Sequence, residues 1–288
     1  MQHWTIFKPL KKLGALLVFS LLGLSSSHAQ QVSSADHTAF VLQHMALDAV
    51  IQELPNSVAS GLQGAIAQGM PMPPEVATTI VEQAQQHFAW VKLQPKLHAS
   101  IKQHLNPKQL EAWFNFYQTT LGQKMAAADR KGSSTEVMQH VMQRGPEILT
   151  RLAGDTTRMA LVQSLVDATH ALDRATDTSA FFALTLDWAI VSSMPNHPDK
   201  PTFEQLENEI ATQRFVIRSQ MAQMVLAHTA WVYQDFSTAE LQSVLQQVTS
   251  PSGQALYKNF GDAFETLLKT HAQSFGVGVS NALRSKGI

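Results

Sequence analysis

Two stretches of the chain, 106–123 and 237–254, repeat one structural pattern without a gap and at one constant offset. The first reads Asn106-Pro107-Lys108-Gln109-Leu110, then Trp113, Phe114 and Tyr117, then Thr119-Thr120-Leu121-Gly122-Gln123. The second reads Ser237-Thr238-Ala239-Glu240-Leu241, then Val244, Leu245 and Val248, then Ser250-Pro251-Ser252-Gly253-Gln254. Each part has a conformational meaning. Asn106 and Ser237 are N-cap residues whose side-chain oxygens accept from a free amide of the first turn, and Gln109 and Glu240, three positions on, complete capping boxes. Pro107 stands at the first helical position, where a missing donor does no harm. Leu110/Trp113/Phe114/Tyr117 and Leu241/Val244/Leu245/Val248 form the same i, i+3, i+4, i+7 apolar stripe. Thr119 and Ser250 then cap a second helix, and Gly122 and Gly253, lacking a Cβ, allow two backbones to meet closely.

The rest of the chain carries the same periodicity. Phe40, His44, Leu47, Ile51 and Leu54 alternate by four and three, as one helical face requires. Phe203, Ile210, Ile217, Met224 and Trp231 recur at steps of seven, which predicts a helix about 45 Å long from Phe203 to near Tyr233 and makes it the spine of its half. No long period-two run of Val, Ile and Thr occurs. The expected fold class is all-α. Met70-Pro71-Met72-Pro73-Pro74 and the stretch Met194 to Pro201 break it, since proline removes a donor and disfavours helix in the residue before it. Pro95 should kink the helical segment Glu75 to His104. The two breaks correspond to each other, as do Leu47-Asp48-Ala49 and Val166-Asp167-Ala168. The offset between matching positions grows along the chain, from the tripeptides to the breaks to the capped motifs, which fits one duplicated unit whose second copy gained loop residues. The expected organisation is a signal peptide at 1–29, a helical-bundle domain at 30–154 and its second copy at 155–288.

The signal peptide rests on Lys8, Lys11 and Lys12, the apolar run Leu13 to Leu24, and Ser25-Ser26-Ser27-His28-Ala29, a small-residue cleavage site. An apolar run of that length spans about 18 Å of helix against the roughly 30 Å of a bilayer core, too short for an anchor. Export to the periplasm follows, with secretion as the alternative. The chain has no cysteine, which excludes disulfides, thiolate metal sites and a cysteine nucleophile. Cleavage after Ala29 removes three of the 21 Lys plus Arg and none of the 22 Asp plus Glu, leaving a net charge of −4. A mildly acidic chain without a basic stripe offers no electrostatic footprint for nucleic acid, and no later stretch is long and apolar enough for an integral membrane segment.

The capped helix ending in Phe116-Tyr117, followed by Thr119-Thr120-Leu121-Gly122-Gln123, resembles the bacterial domain of unknown function 2059. Ser237 to Leu241 and Ser250 to Gln254 carry a second, divergent likeness, with Gln247-Val248 in place of the Phe-Tyr pair. The resemblance implies an exported all-helical protein and brings no catalytic residue with it.

Residue patterns for chemistry are correspondingly thin. The histidines, among them His87, His98 and His104, show no His-x-x-x-His or His-Glu-x-x-His spacing and read as surface or satisfied core residues rather than ligands; His44 and His228, near apolar stripes, read the same way. There is no Gly-x-Ser-x-Gly elbow and no glycine-rich phosphate loop; Gly276-Val277-Gly278-Val279 follows no strand. Glu204, Glu207 and Glu209 suit the first turns of the long second-half helix, near the positive end of its dipole. Catalytic residues, cofactors and metal sites are therefore expected to be none. The favoured role is a non-enzymatic envelope protein binding a protein partner or a hydrophobic ligand, with a small-molecule or lipid carrier, or an enzyme without a recognisable motif, as alternatives. Trp113, Phe116 and Tyr117 cover more than one helical face and are the expected partner-binding patch. Met138, Met142, Met221 and Met224 are a lesser candidate for an adaptable groove.

Overall fold

The computed structural model describes residues 37–46, 51–52, 54–67, 69, 72–193 and 200–287. The expected signal peptide, Leu47-Asp48-Ala49, Met70-Pro71 and most of the second break lie outside these. The described residues form twelve helices and no strand, so the fold is all-α. In the first half these are α1 (His37–His44), α2 (Leu54–Ala67), α3 (Pro74–His87), α4 (Trp90–His104), α5 (Pro107–Gln118), α6 (Thr120–Gly132) and α7 (Thr135–Ala153). In the second half they are α8 (Thr156–Ala168), α9 (Ala171–Ser193), α10 (Phe203–Val232), α11 (Thr238–Thr249) and α12 (Pro251–Ser285).

The two capped motifs fold alike atom by atom. Asn106 Oδ1 accepts from the Gln109 amide at 3.0 Å while Gln109 Oε1 accepts from the Asn106 amide. Ser237 Oγ and the Glu240 carboxylate do the same at the start of α11. Thr119 Oγ1 and Ser250 Oγ each accept from the glycine amide three positions on, both at 3.0 Å. Gln123 and Gln254 reach back to the carbonyls of Tyr117 and Val248. The glycines seat the crossings: a Cβ on Gly122 would lie 2.0 Å from the Phe116 carbonyl oxygen, and one on Gly253 2.2 Å from that of Val248.

The second helix of each motif also reaches to the start of the other motif's capped helix. From α6, Lys124 donates to the Asp235 carbonyl and the Glu240 carboxylate, ahead of and inside α11. From α12, Asn259 donates to the His104 carbonyl ahead of α5. Asp235 and His104 correspond at the same offset as the motifs themselves. Trp113 of α5 donates its indole N–H to the Ser252 carbonyl at 3.0 Å.

The helix that both halves pack against is α12. Its buried side runs from Gly253 to Leu283, and it packs on α3, α4 and α5 of the first half and on α9 and α11 of the second. Val41, Leu93, Trp113, Phe182, Leu241, Phe275 and Leu283 accordingly belong to one apolar core that both halves build. Gly276 and Gly278 make this possible. A Cβ at Gly276 would lie 1.9 Å from the Trp188 ring, and one at Gly278 2.5 Å from His87 Nε2, so α9 and α3 both settle against the glycine-bearing turn. α10 keeps the predicted length, opens on a capping box of Thr202 and Gln205, and packs against α9, α7 and α8.

Two local expectations need correcting. The segment from Glu75 to His104 breaks at Phe88-Ala89, and Pro95 is absorbed inside α4. Phe88 is fully buried, against Phe275 and Phe181, and Lys92 covers the open Gln86 carbonyl at 2.6 Å; burying the ring and capping the carbonyl turn the chain there. The Phe40/His44 stripe does not continue as one helix, because Ala46 takes a φ of 55° and ends the turn after α1.

Candidate functional site

The expected aromatic patch does not lie on the surface. Trp113 and Tyr117 are 0% and 1% exposed, and Phe116 is half-buried, edge-on to Trp113. The helix carrying them presents its stripe inward to α12, so Trp113 and Tyr117 are core, while Phe116 stays partly exposed at its edge. Met138 and Met221 are likewise buried, while Met142 is exposed. His44 and His228 are satisfied by the carbonyls of Phe40 and Gly132.

Around the buried rings lies a polar cluster that sequence reasoning missed. The chain's three tyrosines, Tyr117, Tyr233 and Tyr257, are all buried in the shared core. Tyr233 donates to Asp129 Oδ1 at 2.8 Å, tying the end of α6 to the end of α10. Arg174 of α9 lies 5.0 Å from the Tyr257 ring centroid and 6.0 Å from that of Phe260. Burial pushes the Asp129 carboxyl up to about 6, against the Tyr233 hydrogen bond and the Arg174 charge, which both pull it down. Burial also raises all three phenols. These groups join α5, α6, α9, α10 and α12; their work is cohesion.

An open site lies elsewhere, between α7, α8 and the last turn of α10. It is a groove of about 500 Å³, within the range of small-molecule sites. α7 supplies His140, Arg144, Glu147, Ile148, Arg151 and Leu152, spaced by three and four along one face. α10 and the turn after it supply Ala230, Trp231, Gln234 and Asp235, and α8 supplies Arg158. Ile148 and Leu152 belong to the apolar packing of α7 on α8 and α10 with Val162 and Ala230, so the floor is aliphatic. Trp231 is fixed by His140, with ring centroids 5.7 Å apart, and by Lys131 5.1 Å over its ring.

The three arginines of the groove are in different states. Arg158 donates to the carbonyls of Tyr233, Gln234 and Phe236 at 2.6 to 2.9 Å, which places its charge at the negative end of α10. Arg144 pairs with Glu147 one turn away at 2.7 Å, an exposed contact. Arg151 is exposed and makes no ion pair or side-chain hydrogen bond with the described residues. A second cavity, of about 250 Å³, lies between α1 and α4 and is lined by Leu42, Trp90 and His98.

Among the described residues no group of three or more His, Asp or Glu is placed to hold a metal ion, and no helix is long and apolar enough to cross a membrane. The α7 face of the groove could have been read from its spacing of three and four. Its pairing with Trp231, on a helix from the other half of the chain, could not.

No curated protein and no solved structure matches the chain. Residues 91–151, from α4 through the first capped motif to Arg151 on the groove wall, match the family described as uncharacterized protein conserved in bacteria, DUF2059.

Proposed function

We propose that this is a non-enzymatic binding protein, exported to the bacterial envelope, that holds a small ligand in the groove between α7, α8 and α10. The observation that carries the reading is the groove itself: an aliphatic floor, one fixed tryptophan and unspent arginine charge at an open mouth. Binding sites in helical bundles form between helices in this way, and here charged and polar side chains ring the apolar Ile148, Leu152, Ala230 and Trp231. A non-enzymatic role is supported by where the polar groups are used: Arg158 closes a helix end and Arg144 pairs along its own helix. The exposed large apolar side chains among the described residues, Ile66, Val91, Met142, Phe215, Val216 and Val277, are spread over α2, α4, α7, α10 and α12, which favours a small ligand over a broad protein contact. Export is supported by the lysines, the apolar run and the Ser-x-Ala site between Met1 and Ala29.

Native mass spectrometry of protein purified from the envelope of its own host tests both parts. The chain should begin at Gln30 and carry a co-purifying small molecule, and Trp231→Arg should release it while helicity by circular dichroism is unchanged. Bare protein in both wild type and variant would overturn the binding reading. An intact Met1 in the cytoplasmic fraction would overturn export.

A further inference from the structure

Resting on the groove as a binding site, we propose that its ligand is an amphipathic anion: a carboxylate or phosphate received by Arg151, ahead of an apolar body laid along Ile148, Leu152 and Trp231. The charge balance points this way. The lining holds Arg144, Arg151 and Arg158 against Glu147 and Asp235, a local cationic excess in a chain whose formal net charge is −1. The three guanidinium groups have different freedom. Arg158 is held by three carbonyls and cannot turn to a ligand without uncapping α10. Arg144 and Glu147 form an exposed i,i+3 pair, a weak interaction that an arriving anion can displace. Arg151 is already free of partners among the described residues, and its planar fork matches a carboxylate or phosphate through two parallel hydrogen bonds.

The apolar half of the ligand follows from the floor. Arg151 and Leu152 are neighbours, and Ile148 lies one turn before Leu152 on the same face of α7. Leu152 is itself buried, so the apolar surface beside an anion at Arg151 is the partly exposed Ile148, with the Trp231 ring across the groove. Inorganic phosphate fits the arginine and leaves that surface uncovered; a neutral alkane covers it and leaves the charge unanswered. The ligand that uses both has a charged head on an apolar body, a chemistry shared by fatty acids and alkyl phosphates.

The test is isothermal titration of the mature chain with dodecanoate, dodecyl phosphate, dodecanol and inorganic phosphate, each below its aggregation concentration. Both amphipathic anions should bind at one site per chain, with dodecanol and inorganic phosphate each at least about tenfold weaker, a difference of about 1.4 kcal/mol. Arg151→Gln should weaken the anions by about tenfold and leave dodecanol unchanged, whereas Arg214→Gln, on the far pair with Asp177, should change nothing. Trp231→Ala should weaken all the alkyl ligands. Dodecanol binding as tightly as dodecanoate, or an Arg151→Gln variant with full affinity for the anions, would overturn the anionic assignment and leave the groove standing. If no alkyl ligand binds, the small-ligand reading of the groove falls too. Binding of an apolar peptide with a free C-terminal carboxylate, but of none of the four probes, would replace the amphiphile by a protein chain end.

Discussion

A single methyl group distinguishes the places where this backbone is tight from those where it is loose. A Cβ at Gly253 would press within 2.2 to 2.6 Å of the Val248 and Gln247 backbone, and one at Gly122 within 2.0 to 2.7 Å of Phe116 and Tyr117. Neither neighbour is a side-chain tip that can swing away, so the helices must part. Gly253→Ala and Gly122→Ala should each lower unfolding free energy by about 2 to 3 kcal/mol, the upper range for overpacking. Gly261, within α12, has nothing within 4 Å of its Cβ position. Gly261→Ala should therefore stabilise by about 0.5 to 1 kcal/mol, the gain of alanine over glycine inside a helix. Urea denaturation of the three variants side by side checks the contrast, and a Gly253→Ala variant as stable as the wild type would mean that the crossing is not tight. The candidate site was less legible at this scale. Trp113, Phe116 and Tyr117 suggested a surface patch because together they cover more than one helical face, while how much of that face is buried depends on what arrives from α12. Arg151 carried no signal by itself; its importance comes from the neighbours that leave it unpaired.

At the scale of elements, the capping boxes are the best test of what local chemistry decides. Asn106 and Ser237 are both exposed, so alanine there removes a hydrogen bond without opening a cavity. Each substitution should cost about 1 kcal/mol, or roughly 2 to 4 °C in thermal midpoint for a chain of this size. The loss should be no smaller for Ser237→Ala, because the Glu240 carboxylate that completes its box also holds Lys124 of α6; a silent Ser237→Ala would detach the cap from helix stability. These ends were legible because cap, proline and stripe are written within a few positions of one another. The length of α10 was legible for the same reason, through its unbroken heptad spacing. The dominance of α12 was not, since Gly276 and Gly278 look like helix breakers until Trp188 and His87 fill the space beside them. The turn at Phe88 was also hidden, because its cause is a ring buried against Phe275 and Phe181, far along the chain.

For the whole molecule, the buried ionisable groups pull stability in opposite directions as pH changes. Asp187 is 7% exposed, and burial first, then the nearby Glu209 charge, raises its carboxyl to about 7; Asp129 stands at about 6. Both folded values lie above the ordinary 3.8. Between pH 4 and 7 the unfolded chain therefore binds fewer protons at these sites, and folding loses stability as pH rises through that window. Burial lowers His44, His87, His228 and His271 below 6.5. The unfolded chain then binds more protons at these sites on acidification, and their contribution is lost as pH falls below about 6.5. The two sets oppose each other near neutral pH, so the difference between the wild type and an aspartate variant, rather than the wild-type slope, isolates the carboxyl contribution. Ionised Asp187 costs on the order of 4 kcal/mol relative to an ordinary carboxylate, a figure that Asp187→Asn, which puts a neutral amide in the same buried place, would recover in part. Asp187→Asn should raise the midpoint at pH 8 by several degrees relative to the wild type, and the gap between the two proteins should widen from pH 5 to pH 8. Its effect should shrink at pH 5, where the native carboxyl already holds its proton. A variant with the same pH slope as the wild type would show that Asp187 is ionised without penalty. The carboxyl contribution would then have to come from Asp129, and Asp129→Asn, whose amide oxygen can still accept from the Tyr233 hydroxyl, would be the substitution that removes it.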